Sequence, residues 1–187
     1  MKRSFVRSPY LWAIVGVATL VTVAWVGRER YQPVTTGSEA PAFTVTSLDG
    51  EAAALSDYLG HKVLLVNVWA TWCGPCVVEM PSMQRLYEKF EGEDFEILAV
   101  SVDAPIGQTD AMGNAGGDLA RFAERLDLTF PILHDPRGGI QRTYQTTGVP
   151  ESFVIGFDGT IYKKVAGPTE WDSVENEELI RRLLAAR

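Results

Sequence analysis

Cysteine and histidine are scarce in this chain, with two of each among 187 residues. That scarcity narrows the chemistry. The cysteines, Cys73 and Cys76, have only Gly74 and Pro75 between them. A bridge across so short a gap restricts the unfolded chain very little, so a purely stabilising disulfide is disfavoured. Zinc would need two further ligands, and the candidates are only His61 and His134. His61 precedes the apolar run Val63 to Ala70 and Cys73 follows it. At about 3.3 Å per residue, an extended run of that length holds the two more than about 20 Å apart. The same distance removes His61 as the base of a cysteine hydrolase. Basic residues are outnumbered too: from Tyr31 onward 12 Lys+Arg face 23 Asp+Glu, a net of −11. Such a balance argues against nucleic acid and anionic lipid surfaces as partners. No internal repeat is visible. No cysteine lies near the N-terminal apolar run, which excludes a lipid-anchored cysteine there.

What is present centres on Trp69-Ala70-Thr71-Trp72-Cys73-Gly74-Pro75-Cys76. The Val and Leu run before it, then a tight turn and a helix-like stretch, reads as a buried strand feeding a helix. Two cysteines so spaced at a helix N-terminus can bridge within a small ring. The free amides and partial positive charge of that helix end favour a thiolate on Cys73. Cys76 sits one turn further in and is expected to be more buried. The natural roles are Cys73 as attacking nucleophile and Cys76 as resolving thiol, shuttling between dithiol and disulfide. Pro75 is tolerated in a first helical turn because it needs no amide partner there. The redox couple is carried by the cysteines themselves, so no cofactor and no metal is expected.

Taken in order, the chain opens with Lys2, Arg3 and Arg7 ahead of Tyr10 to Val26, an uncharged run closed by Arg28-Glu29-Arg30. The run is at the lower limit for crossing a bilayer, with Tyr10, Trp12 and Trp25 near its ends. A cleaved signal peptide is the rival reading, although no clean small-x-small cleavage site is seen. The basic residues ahead of the run favour a cytoplasmic N-terminus. The expected organisation is a cytoplasmic segment over 1–9, a transmembrane anchor over 10–27, a linker over 28–38 and one domain over 39–187.

Within that domain helices and strands alternate, which implies an α/β sandwich with parallel strands. The expected elements are a hairpin from Phe43 to Ala54 turning at Asp49-Gly50, and strands Val63 to Ala70, Phe95 to Val102 and Pro131 to His134. A helix from Gly74 to Phe90 should be kinked by Pro81. Further helices are expected from Asp118 to Leu126, Gly139 to Thr147 and Val174 to Ala186, with a hairpin over Ser152 to Val165. Ala104 to Gly117, glycine-rich and short of bulky apolar residues, is expected to be a floppy surface loop. His134 and Asp135 are assigned no chemistry. Glu79 follows Cys76 by three residues among apolar neighbours Val77, Val78 and Met80. A partly buried Glu79 with a raised pKa could exchange a proton with Cys76.

The WCGPC core resembles the thioredoxin superfamily, and Asn67 to Pro81 is similar to its membrane-anchored TlpA/ResA branch, which includes the cytochrome c maturation thioredoxins. Gly148-Val149-Pro150-Glu151-Ser152-Phe153 matches the superfamily's cis-proline loop and following strand, and Ala40-Pro41-Ala42-Phe43 resembles the branch's opening motif. The resemblance implies a thioredoxin-like three-layer sandwich with an N-terminal hairpin and a central insertion, preceded by one transmembrane helix. It implies a cis bond before Pro150, so that Val149 offers its backbone edge to an extended substrate beside Cys73. Trp72 is read as a hydrophobic lid, with Gly74 and Pro75 completing the substrate contact. The branch carries a functional glutamate at the position of Glu79. Asn67 stands where thioredoxins proper have a buried aspartate, which leaves Glu79 as the candidate proton acceptor.

The implied activity is protein-disulfide reduction outside the cytoplasmic membrane. Substrates would be exported disulfides such as those of apocytochrome c or a copper-site thiol pair. A membrane electron donor of the thiol–disulfide transfer type would supply the reducing equivalents. The alternatives are a disulfide-forming oxidase, a non-enzymatic copper chaperone and a peroxidase, the last without a peroxidatic cysteine in its proline-threonine setting.

Overall fold

The computed structural model describes residues 9–27 and 33–187. The chain divides into two compact units, one ending at Pro33 and one comprising Val34–Arg187. In the first, helix α1 spans Pro9–Gly27 and contains no charged residue. Pro9 suits its first position, where no amide is needed. Among the described residues no helix is long and apolar enough to cross a membrane. A helix stands where the anchor was expected. The expected flanks Lys2, Arg3, Arg7 and Arg28-Glu29-Arg30 lie outside the described residues.

The second unit is built on one sheet of seven strands in the order β2-β1-β5-β4-β3-β6-β7. Strand β3 (Val63–Trp69) is central and all of its residues are buried. The same holds for its parallel neighbour β4 (Phe95–Ser101). Burial of every position means both faces of these strands are covered, which makes the sheet a middle layer. Strand β5 (Ile132–His134) continues the parallel set beyond β4. The sheet is mixed, because β1 (Thr44–Ser47) pairs antiparallel with both β5 and β2 (Ala52–Ala54). On the other side β6 (Glu151–Ile155) runs antiparallel to β3 and to β7 (Ile161–Ala166). The expected hairpins turn at Gly50 and Gly159, both with positive φ. The helices are α2 (Gly74–Lys89), α3 (Leu119–Arg125), α4 (Gly139–Thr143) and α5 (Val174–Ala185). Pro81 lies inside α2, which continues through it.

Three expectations are corrected. The domain begins at Val34 rather than 39: Val34 is buried, its carbonyl accepts from Lys164 Nζ, and the Gly37 amide donates to Ile161. Helix α4 stops at Thr143, four residues early. Gln145 turns to φ 51, and the Thr147 amide donates to the Glu151 carboxylate. The insertion from Ala104 to Gly117 has a frame of its own, with bridges Ile106↔Gly116 and Thr109↔Ala115.

The register of β3 against β6 pairs Val68 with Glu151 and Asn67 with Ser152. That pairing carries the residues just before β6 alongside the exit from β3. Two distant segments of sequence thereby form one site.

Candidate active site

The apolar strand β3 ends at Trp69, and after three intervening residues the chain turns into α2 with Cys73 as its N-cap. Cys73 has extended backbone, φ −85 and ψ 101, as an N-cap requires. Its sulfur accepts a hydrogen bond of 3.2 Å from the Cys76 amide. An N-cap sulfur facing the free amides of the first turn is placed to be stabilised as a thiolate. Cys73 and Cys76 form a disulfide with Cα atoms 5.3 Å apart. Cys76 is fully buried and Cys73 is 5% exposed, so the outer sulfur is the one a partner can reach.

The peptide bond between Val149 and Pro150 is cis. The Val149 carbonyl oxygen lies 3.5 Å from Cys73 Sγ, beside the sulfur, as the resemblance implies. Pro150 is buried and its carbonyl accepts from the Gly167 amide at 2.8 Å. Trp72 is half-buried against the core. It also lines a cavity of about 280 Å³ between the insertion and α4. Gly74 and Pro75 occupy the first turn of α2, and the space around Gly74 is open.

Glu79 is 2% exposed, one helical turn from Cys76 on the same face of α2. One carboxylate oxygen accepts from Asn67 Nδ2 at 2.8 Å and the other from the Thr169 amide at 3.1 Å. Burial raises its pKa from 4.5 to about 7. The bonds from Asn67 and Thr169 pull the other way, as does the nearby Trp171 indole, though its N–H reaches no acceptor at hydrogen-bonding geometry. Asn67 also donates to Ser152 Oγ at 2.8 Å, while its own carbonyl oxygen has no partner. A half-rotation of this amide would offer that oxygen to a protonated Glu79. The pair can therefore serve both protonation states.

Two further groups were not singled out from sequence. Asp103 is fully buried just past β4 and accepts from the Thr71 amide and hydroxyl, the Ser101 hydroxyl and the Gly117 amide. These bonds hold Thr71, two residues before Cys73. Glu151 is buried directly after Pro150, paired with Lys164 at 3.0 Å. A carboxylate beside a strand end, with a hydroxyl two residues away, was the only local signal for Asp103. Glu151 had none beyond its neighbour Pro150.

A cysteine pair at a helix N-cap, a cis-proline edge beside it and a buried carboxylate behind it define a thioredoxin-like thiol–disulfide oxidoreductase. The comparisons with known proteins agree. Residues 36–164 match the AhpC/TSA family, to which this chain belongs. The thiol–disulfide oxidoreductase ResA of Bacillus thuringiensis subsp. konkukian is 37% identical over 147 residues, 79% of this chain and 78% of the relative. The protein of the same name from Geobacillus kaustophilus is 37% identical, covering 76% of this chain and 75% of its own. Among solved structures, a candidate thiol:disulfide interchange protein DsbE from Chlorobium tepidum superposes with a TM-score of 0.63 at 28% identity. That match covers 82% of this chain and 97% of the other.

Proposed function

We propose that this protein is a reductant of disulfides in exported proteins, held at the outer face of the cytoplasmic membrane by its N-terminal segment. The reducing direction is supported by what surrounds Cys73 Sγ: one amide, that of Cys76, donates to it, and the negative end of the Val149 carbonyl lies 3.5 Å away. That carbonyl opposes thiolate formation. A thiolate held so modestly gives a dithiol that yields its electrons readily, because strong oxidants are those whose reduced form is stabilised. Gly74-Pro75 is also the dipeptide of reducing members in the resemblance.

In the proposed cycle the Cys73 thiol loses its proton to solvent and its sulfur attacks one sulfur of the substrate disulfide. The other substrate sulfur leaves as a thiolate and is protonated. The Cys76 thiol passes its proton to Glu79 and attacks Cys73, breaking the mixed disulfide. The second substrate thiol departs, and the protein is left as the Cys73–Cys76 disulfide. Two electrons have moved to the substrate, and a membrane dithiol donor must return two. No other cofactor enters this cycle. Trp72, Gly74, Pro75, Val149 and Pro150 would form the surface against which the substrate chain lies, adding a strand along Val149. Oxidised apocytochrome c and copper-site cysteine pairs are the proposed substrate class.

The test is a Cys76→Ser variant of the full chain expressed in its host. It should accumulate covalent, thiol-reversible adducts with exported proteins that contain cysteine pairs, in a fraction that resists alkaline extraction from membranes. Adducts confined to cytosolic proteins, or a protein released by alkali, would contradict the reading.

A further inference from the structure

The cavity beside Trp72 is lined by Val102, Asp110, Met112, Arg137, Gln141 and Arg142. Trp72, the residue before the reactive cysteine, forms part of its wall, yet no step of the proposed cycle uses the cavity. Met112, 76% exposed, puts a large apolar side chain at the surface of the insertion. Among the described residues neither Arg137 nor Arg142 has a carboxylate partner. Asp110 is occupied within its own loop, accepting from the Met112 and Asn114 amides and from Asn114 Nδ2. Of the charged side chains that line the cavity two are guanidiniums and one is a carboxylate, in a head whose net charge from Tyr31 onward is −11. Arg142 Nη1 also donates to the Arg137 carbonyl at 2.7 Å, and the carboxylates of Asp103 and Asp135 do not line the cavity.

The walls are built to hold their positions. Asp103 ties together the segment before Trp72, the end of the insertion and the strand that leads to Arg137. Its carboxylate grips Thr71, next to Trp72, and the Gly117 amide at the end of the insertion. Its carbonyl accepts from His134 Nε2 at 2.8 Å, and His134 leads into the turn that carries Arg137. Asp135 then accepts from the Ile140 amide at 2.6 Å, fixing the start of α4. Gly117 lies so close to Thr71 that an added Cβ would be 2.1 Å from its hydroxyl oxygen. Such a cavity is preorganised, which lowers the ordering cost of whatever binds.

We propose that this cavity reads the substrate: it takes an acidic side chain of the polypeptide whose cysteine is attacked by Cys73, seated against Met112 and Trp72 and paired with Arg137 and Arg142. An extended chain advances about 3.3 Å per residue. With the substrate cysteine at Cys73 and the cavity just past Trp72, the acidic residue stands roughly two to four positions from that cysteine. The overall negative head repels acidic partners at long range, so the two guanidiniums of the cavity select register and orientation rather than bulk charge. The inference rests on the preceding reading only in requiring a polypeptide disulfide.

The test uses the full chain and two synthetic peptides, each with one internal disulfide, flanked either by glutamates or by glutamines at those positions. At low salt the glutamate peptide should be reduced with a kcat/KM at least about threefold higher, an advantage that disappears near 0.5 M salt. Arg137→Glu with Arg142→Glu should reverse the order, and Arg137→Lys with Arg142→Lys should keep it. Equal rates for the two peptides, or an advantage that survives charge reversal, would overturn the proposal. Should the oxidised protein instead oxidise the reduced peptides, the reducing direction fails. The same glutamate preference in that reaction would still support the cavity, and its absence would overturn it. No reaction with either peptide in either direction would overturn both.

Discussion

Replacing Glu79 by glutamine removes one titrating group and leaves a side chain of the same size. In the wild type the carboxyl titrates at about 7 when folded, against 4.5 ordinarily, because burial penalises the charge. Below pH 4.5 it is neutral in both folded and unfolded chains. Between 4.5 and about 7 the unfolded chain ionises while the folded one keeps its proton, so stability falls as pH rises. Above about 7 both are ionised and the whole loss persists, about 3 kcal/mol for a rise of that size. Glu79→Gln should lack this decline. The Thr169 amide retains an acceptor, and Asn67 can turn its unpartnered oxygen to the new amide. Exchanging charge-assisted bonds for neutral ones costs about 1 kcal/mol. The variant should therefore gain on the wild type between pH 5 and 8, by roughly 1–3 kcal/mol at pH 8. Denaturant melts of the two disulfide forms at each pH measure this, and other titrating groups cancel in the difference. In single-turnover kinetics, attack by Cys76 should rise with pH through about 7 in the wild type. The variant should lose that inflection and slow about a hundredfold, the lower end of general base catalysis. An unchanged stability difference, or a retained inflection near 7, would refute the role of Glu79 and point to water as the base.

Two further perturbations test the scaffold. Gly117→Ala places a methyl against the Thr71 hydroxyl and should destabilise by about 1–3 kcal/mol, read as a lowered thermal midpoint. A variant as stable as wild type would mean the insertion gives way freely. Lys164→Met leaves the buried Glu151 carboxylate without its charged partner and should cost about 3 kcal/mol in chemical denaturation. Adding Glu151→Gln should recover more than half; no recovery would mean that the lost bond to Val34 matters more.

The centre of the fold was legible because its signals are local. The apolar run of β3, the turn and the cysteine spacing are contiguous in sequence, and Glu79 sits among apolar neighbours on the same helix. Cis Val149–Pro150 came from resemblance, since nothing in the residues themselves distinguishes it from a trans bond. Long-range bonding was not legible. The order of the insertion depends on Asp103 reaching Gly117, and glycine content alone reads as looseness. The early stop of α4 depends on Glu151 holding the Thr147 amide across a turn. The true start of the domain depends on Lys164, 130 positions away, bonding to Val34. Periodicity cannot report such contacts.

The central claim is that Cys73 and Cys76 form a reducing couple. The most direct test is the reduction potential of the full chain, equilibrated in a thiol redox buffer and read from the fraction of Cys73–Cys76 disulfide. The account predicts a value at or below about −220 mV, in the range of glutaredoxins and thioredoxins. A value near −120 mV, that of a strong oxidant, would contradict it.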